Sequence, residues 1–394
     1  MASHGVARPT TIGSRTEQEK RKEYTEIQDY RELEKTLQMK VAEQGYTLEV
    51  FNLTSKLLKK NPEYYTIWNI RRRILIQCLF STSPSQPLLP NELAASPIYN
   101  SRTQVLHINS QPDQALQNRA SELRQNVLEL ITSDLRFLFP LMLKFPKCYW
   151  LWNYRLWLLQ QANERLDIKI SRELWTRELD SVAKLLIKDS RNFHGWGYRR
   201  LIVAQLESCG LNGSSMVESE FEYTTKMIHA PNGLSNFSAW HRRSKLIPRL
   251  LNERQSTSCA RRQFLDNEFD LIVSAMYTDS YPYQQSAWFY YQFLMTALIE
   301  PNLCPIVDFS IEERCNYINQ QLNVLKEMLD GAEDCKWIYN ALIDYTVSLR
   351  QLEQRELQSG DKINCKSWLT RLKVIDPFRN GRWNDLENAL GTVT

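Results

Sequence analysis

Along most of this chain apolar residues return every three or four positions. Between Glu173 and Lys188, Leu179, Val182, Leu185 and Leu186 fall on one helical face. Asp189 and Ser190 then interrupt the pattern and offer a cap for a second helix. In that helix Trp196, Arg199, Arg200 and Val203 occupy positions i, i+3, i+4 and i+7 and share one side. The two segments make a helical hairpin. One hairpin cannot bury its own apolar stripe, so hairpins have to stack. Strand-like alternation is rare. The pattern predicts an all-α fold, a superhelical solenoid of antiparallel helix pairs.

A short phrase recurs inside these hairpins: an aromatic residue, two spacers, Trp, two spacers and Arg. It reads YTIWNIR at Trp68 and Arg71, YWLWNYR at Trp152 and Arg155, FHGWGYR at Trp196 and Arg199, and FSAWHRR at Trp240 and Arg243. A weaker copy, QSAWFYY, surrounds Trp288, and a degenerate one, CKWIYNA, surrounds Trp337. These Trp residues follow one another at intervals of 84, 44, 44, 48 and 49 residues. A period of this length marks a repeat array, and neither tetratricopeptide nor HEAT repeats carry a phrase of this kind. Indole supplies a large apolar area with one N–H to satisfy, and Arg one turn later can stack on a ring or fork onto a carboxylate. The Trp and Arg positions are therefore expected to hold the array together. The fifth copy has Tyr291 where Arg is expected and Gln285 where the aromatic is expected, so its packing must differ. Its cluster of Trp288, Phe289, Tyr290, Tyr291 and Phe293 is too wide for one core stripe, which leaves part of it for a partner.

Two stretches depart from the hairpin pattern. Residues 1–16 are small and polar and read as a mobile N-terminus, followed by one repeat domain over 17–394. Residues 17–44 are dense in Glu, Lys and Arg without Gly or Pro and predict a solvated helix. The long first interval is explained by an insert at 81–115, rich in Pro, Ser and Asn, which reads as a surface loop.

The formal net charge of +4 over 94 charged residues is too balanced to indicate nucleic-acid binding. No apolar run is long enough to cross a bilayer, the N-terminus has no secretory apolar segment, and Ala2 stands where N-myristoylation needs Gly. The eight Cys form no CxxC pair and read as reduced thiols of a cytoplasmic protein, and the five His show no metal-ligand spacing.

The phrase, its period and the order of its copies resemble the α subunits of the protein prenyltransferases, from about residue 17 to the end. The segments 175–200, 235–244 and 285–294 and the closing KVIDPFRNGRWNDLE at 373–387 are similar to the type II, or Rab, geranylgeranyltransferase branch. The chain lacks the immunoglobulin-like and leucine-rich additions of the animal subunits and in this resembles fungal ones. The resemblance implies a heterodimer in which a β subunit holds zinc and the isoprenoid pocket. It also implies transfer of geranylgeranyl from its diphosphate to C-terminal cysteines of Rab GTPases presented by a Rab escort protein. The rival readings are the α subunit of farnesyltransferase and type I geranylgeranyltransferase, and a non-catalytic α-solenoid scaffold.

The reaction forms a thioether while diphosphate departs, so negative charge grows on the leaving oxygens. Cations and helix N-termini stabilise such charge, and in stacked hairpins the equivalent second helices all begin on one rim. Lys147 lies on that rim after the stiff Phe145-Pro146 lead. The resemblance makes Lys147 the diphosphate-contacting lysine and Tyr149 an aromatic near the substrate cleft, with Cys148 in place of a small polar residue. It also turns Asn192, His194 and Asn236 toward the β subunit or the substrate tail. His241 reads as structural. His4, by resemblance, is a mobile imidazole able to plug the partner's zinc.

Overall fold

The computed structural model describes residues 16–81, 112–277 and 283–392; the expectations for His4, for the N-terminus up to residue 15 and for residues 82–111 lie outside the described residues. Among the described residues every regular element is helical. The chain divides between Ser214 and Ser215 into two compact units. The division falls in the connection after Leu206, a 3-10 turn at Cys209–Leu211 with Asn212 in the left-handed region.

The first unit opens with α1 (Glu17–Ala42), capped by a reciprocal pair: Thr16 accepts from the Glu19 amide and the Glu19 carboxylate accepts from the Thr16 amide. Leu37 is its one buried side chain, as its charge pattern predicted. Three hairpins follow: α2 (Leu48–Lys60) with α3 (Tyr65–Ile74), α4 (Pro112–Lys144) with α5 (Tyr149–Arg165), and α6 (Ile168–Lys188) with α7 (Phe193–Leu206). Helix α3 continues into a π-helical turn, Leu75–Leu79. The second helices α3, α5 and α7 pack in sequence against one another, which is how each hairpin buries the stripe of the previous one.

Helix α4 begins at Pro112, a favoured first helical residue, so 112–115 belong to a helix rather than to the expected loop. Helix α6 likewise starts at Ile168, ahead of the stripe read from Glu173, and the cap of α7 is Asn192 rather than Asp189 or Ser190.

The second unit repeats the arrangement with α8 (Val217–His229) and α9 (Phe237–Glu253), α10 (Ser258–Met276) and α11 (Gln285–Ile299), and α12 (Ile311–Leu329) and α13 (Lys336–Leu352). Helices α14 (Ser359–Ile375) and α15 (Asn380–Thr392) close it, with Trp383 buried against Tyr339, Ile343 and Leu369. Of the eight cysteines, six are buried.

Candidate functional site

The Trp of the repeated phrase fixes the local geometry of four hairpin turns. Trp68, Trp152, Trp196, Trp240 and Trp288 are all buried. In four of them the indole N–H donates to the backbone carbonyl six residues earlier: Trp68 to Pro62 at 2.8 Å, Trp152 to Pro146 at 3.0 Å, Trp196 to Ser190 at 2.8 Å and Trp240 to Leu234 at 2.9 Å. The ring fills apolar space while its single donor closes the turn that starts the second helix.

In the sixth hairpin the Trp slot belongs to Tyr339, not Trp337. Tyr339 is buried and its hydroxyl donates to the Glu333 carbonyl, again six residues back, at 2.9 Å. The sequence reading had centred this copy two residues early, because Trp337 looks like the missing indole and a Tyr in the slot carries no such signal.

The phrase Arg residues are buried, and Arg71, Arg155 and Arg243 join neighbouring hairpins within their units. Arg71 forks onto Asp134 of α4, with Nη2–Oδ1 at 2.5 Å, and also donates to the Phe51 carbonyl and the Thr54 hydroxyl. Arg155 holds Glu178 of α6 at 2.5 and 2.7 Å, and Arg243 holds Glu268 of α10 at 2.6 and 2.7 Å. A tyrosine two residues after the next Trp completes each joint: Tyr154 donates to Asp134 at 2.6 Å, Tyr198 to Glu178 at 2.7 Å, and Tyr290 to Glu268. Burial opposes the charge on Arg155, but Glu178 more than reverses it and the guanidinium stays above its usual range. Burial, then the adjacent carboxylate, pushes the Tyr154 and Tyr198 hydroxyls well above the usual tyrosine range. Arg199 is buried in the same slot. These residues are architecture, as expected; the carboxylates onto which the Arg pattern was expected to fork are Asp134, Glu178 and Glu268, positions that the phrase does not mark.

The rim of the first unit carries the exposed chemistry. The aromatic three residues before each Trp points outward: Tyr65, Tyr149 and Phe193 are all exposed. Tyr65 lies 4.4 Å from Trp150 between ring centroids, Trp150 5.8 Å from Tyr149, Tyr149 5.7 Å from His194, and His194 4.0 Å from Phe193. The N-terminal turns of α3, α5 and α7 are thus linked by a continuous row of rings.

Beside this row the Lys147 ammonium meets Asp189 Oδ2 at 2.6 Å, with side-chain exposures of 40% and 35%. Burial lowers the His194 pKa, and the Lys147 charge lowers it further. The structure therefore gathers Lys147, Tyr149 and His194 in one place.

Asn192 does not join them, although the sequence reading turned it outward. It is buried, accepts from the His194 amide at 3.1 Å as the cap of α7, and donates its amide to the Pro146 carbonyl at 3.0 Å. Cys148, at the equivalent position one hairpin earlier, makes the tether without the side-chain cap: its buried thiol donates to the Pro62 carbonyl at 3.4 Å, and burial raises its pKa to about 11. Each of these cap residues reaches back to the carbonyl that also receives the preceding Trp.

Asn236 is corrected in the same way, being fully buried and accepting from the Ala239 amide at 3.2 Å. The amide side chains satisfy backbone donors that a helix start leaves open, and that demand outweighs a surface role.

In the second unit a similar row runs along the starts of α9, α11 and α13. Phe237 stacks on His241 at 5.8 Å, lies 5.8 Å from Phe289, and Phe289 lies 6.3 Å from Trp337. His241 is exposed in this row rather than structural in the core. Of the aromatic cluster in α11, Trp288, Tyr290 and Tyr291 are core while Phe289 is exposed, so the cluster does divide between core and surface. Among the described residues no group of three His, Cys, Asp or Glu side chains is gathered as a metal site, and no helix is long and apolar enough to cross a membrane.

Comparison with known proteins matches residues 48–78, 131–162 and 175–206 to the protein prenyltransferase alpha subunit repeat. These three segments contain the Trp of α3, α5 and α7. The geranylgeranyl transferase type-2 subunit alpha of Saccharomyces cerevisiae is 32% identical over 390 residues, 96% of this chain and 97% of the yeast protein. The protein of the same name from Schizosaccharomyces pombe is 29% identical over 397 residues, 99% of each chain. The mouse one is 31% identical over 268 residues, 68% of this chain and 37% of the mouse protein. Among solved structures, Candida albicans protein geranylgeranyltransferase-I complexed with GGPP has the same fold, with a TM-score of 0.55 at 18% identity over 99% of this chain and 96% of that one. With its turn geometry, its buried Arg joints and a full-length likeness to the yeast subunit, the chain belongs to the protein prenyltransferase α-subunit family, in its type-2 geranylgeranyltransferase branch.

Proposed function

We propose that the chain is the α subunit of a heterodimeric, cytoplasmic geranylgeranyltransferase that modifies C-terminal cysteines of Rab GTPases presented by a Rab escort protein. The observation that carries this reading is the likeness to fungal type-2 α subunits along the whole chain. It favours the type-2 branch over the farnesyltransferase and type I alternative, since the type I structure shares only the fold. The exposed rows of rings fit a partner-covered surface, because apolar area of this kind is stabilised when a second chain removes it from water. In this reading the partner is a β subunit, which also holds the zinc.

The part left to this chain is electrostatic. A cysteine thiolate forms the new C–S bond to the allylic carbon as the C–O bond breaks, and the electron pair leaves on diphosphate. Lys147 supplies a cation to those oxygens. The first turns of α5 and α7 add the partial positive charge of their helix N-termini on the same rim. Tyr149 offers a ring edge and a hydroxyl beside them, and His194, held toward the neutral form, offers a hydrogen bond without competing for the anion.

Co-expression with a type-2 β subunit and separately with a type I β subunit tests the reading, with prenyl transfer followed on an escorted Rab and on a CaaX peptide. Transfer to the Rab with the type-2 partner alone is the expected result. Transfer to the CaaX peptide would move the chain to the other branch, and failure to bind either β would leave a scaffold.

A further inference from the structure

Lys147 and Asp189 form an ion pair that the rest of the array does not explain. It joins the turn before α5 to the turn before α7, 42 residues apart in sequence. The buried joints of the array use Arg, fork onto their carboxylates and lie in the core. This pair is different in each respect. It uses Lys, makes a single bond to one carboxylate oxygen, and sits on the half-exposed rim beside Tyr149 and His194. Asp189 also has no capping task for its side chain: its backbone amide donates to the Leu185 carbonyl and its backbone carbonyl accepts from Asn192.

An ammonium has three N–H donors on a flexible four-carbon stem. Asp189 takes one of them, at 2.6 Å. Among the described residues no other side chain bonds Lys147, so two donors remain for an anion. The neighbouring tether, Asn192 to the Pro146 carbonyl at 3.0 Å, fixes the peptide that carries Lys147 to the same turn that carries Asp189. The backbone on both sides of the pair is therefore anchored, and the remaining freedom lies in the two side chains, most of it in the long lysine stem.

We propose that Asp189 is a positioning residue for prenyl transfer: it holds the Lys147 ammonium on the rim by one donor and leaves the other two aimed at the departing diphosphate. The inference rests on the reading of the chain as a type-2 α subunit with Lys147 at the leaving group. A cation placed before the reaction begins needs no reorganisation when charge appears on the leaving oxygens, which is where such placement raises a rate.

The test uses the heterodimer with a type-2 β subunit and measures kcat for transfer to an escorted Rab and KM for geranylgeranyl diphosphate. Asp189→Asn keeps the shape and removes the charge. The expected result is a fall in kcat of about tenfold with a smaller change in KM, the size of a lost orienting contact. Asp189→Glu, which retains the charge, recovers most of the rate.

The decisive comparison is made in a Lys147→Ala enzyme, where adding Asp189→Asn leaves kcat unchanged within about twofold, as coupling through a single contact requires. An Asp189→Asn enzyme with wild-type kcat, or one faster than wild type, overturns the proposal; the second result would make Asp189 a competitor for the lysine. An equal loss with and without Lys147 overturns it as well and assigns Asp189 to the fold. A wild-type heterodimer that transfers nothing overturns the underlying reading, and this proposal with it.

Discussion

Tyr291 donates its hydroxyl to Gln321 at 2.9 Å in the place where Arg155 forks onto Glu178 and Arg243 onto Glu268. Both sides of the joint change together. The helix position that loses its cation faces a helix position that has lost its carboxylate. A buried charge left without its partner costs far more than a neutral hydrogen bond contributes, so only the paired exchange preserves the stack. The fifth hairpin, irregular in sequence, is thus regular in its logic.

Reintroducing one charge at this joint should expose that logic. Gln321→Glu places a carboxylate in a buried position with Tyr291 as donor and no cation. The cost at pH 7 should be about 3–5 kcal/mol, the range for an uncompensated buried charge. Burial raises the folded-state pKa of such a carboxyl above its unfolded value. The variant is therefore least impaired below the unfolded pKa and loses stability as pH rises through the folded one. Adding Tyr291→Arg supplies the missing fork and should recover much of the loss. Urea unfolding of the single and double variants at pH 5 and pH 8 decides the matter, and a Gln321→Glu chain as stable as wild type at pH 8 would contradict the account.

Trp196 makes the same point about the turns. Its ring is buried and its indole donates to the Ser190 carbonyl. Trp196→Ala should cost about 3–5 kcal/mol through the cavity and the lost apolar burial. Trp196→Phe keeps most of the apolar area and loses the donor, and should cost about 1–3 kcal/mol by leaving a turn carbonyl unpaired. A loss under about 0.5 kcal/mol for the alanine variant, the size seen at ordinary surface sites, would count against the role assigned to the phrase.

What could be read in advance follows from which interactions are local. The indole reaches a carbonyl six residues back, so its spacing is fixed and the phrase repeats visibly. The Arg joints pair residues 23, 25 and 63 positions apart, on helices whose lengths differ, so Glu178, Glu268 and Asp134 stand in no constant relation to the phrase. The family resemblance turns Asn192 and Asn236 outward, toward the β subunit or the substrate tail. Their side chains instead meet the demand of the helix start, a competition that sequence position alone does not rank. Lys147, Tyr149 and His194 lie on the rim as the hairpin geometry required, whereas Asp189 carries in the sequence only the signal of a helix breaker and cap.

Asn192 offers a way to separate architecture from chemistry on that rim. Its side chain caps α7 and ties Pro146 to the α7 turn, both in the protein interior. Asn192→Ala should cost about 1–2 kcal/mol in stability, the usual range for a lost cap. Asn192→Asp retains the capping oxygen but loses the amide donor, and should fall between. Urea midpoints compared with activity at a temperature where all three chains are folded provide the check. An alanine variant of unchanged stability would return Asn192 to the list of outward-facing residues.

Lys147→Ala should alter His194 in a direction that the rim geometry fixes. Burial is the larger cause of the lowered His194 pKa and the Lys147 charge the smaller one. Removing the ammonium therefore raises the His194 pKa toward the reference value of 6.5 without reaching it, since burial remains. The sign for stability follows. With its folded pKa below the unfolded one, His194 binds fewer protons folded than unfolded in the window just below 6.5, so it weakens the fold as pH falls through that window. The Lys147→Ala chain should lose less of its stability across the same interval. Titration of the His194 imidazole by NMR in wild type and variant measures the shift directly. A His194 pKa that is unchanged, or that falls, on removing Lys147 would mean that the two groups do not share the rim as the structure has them.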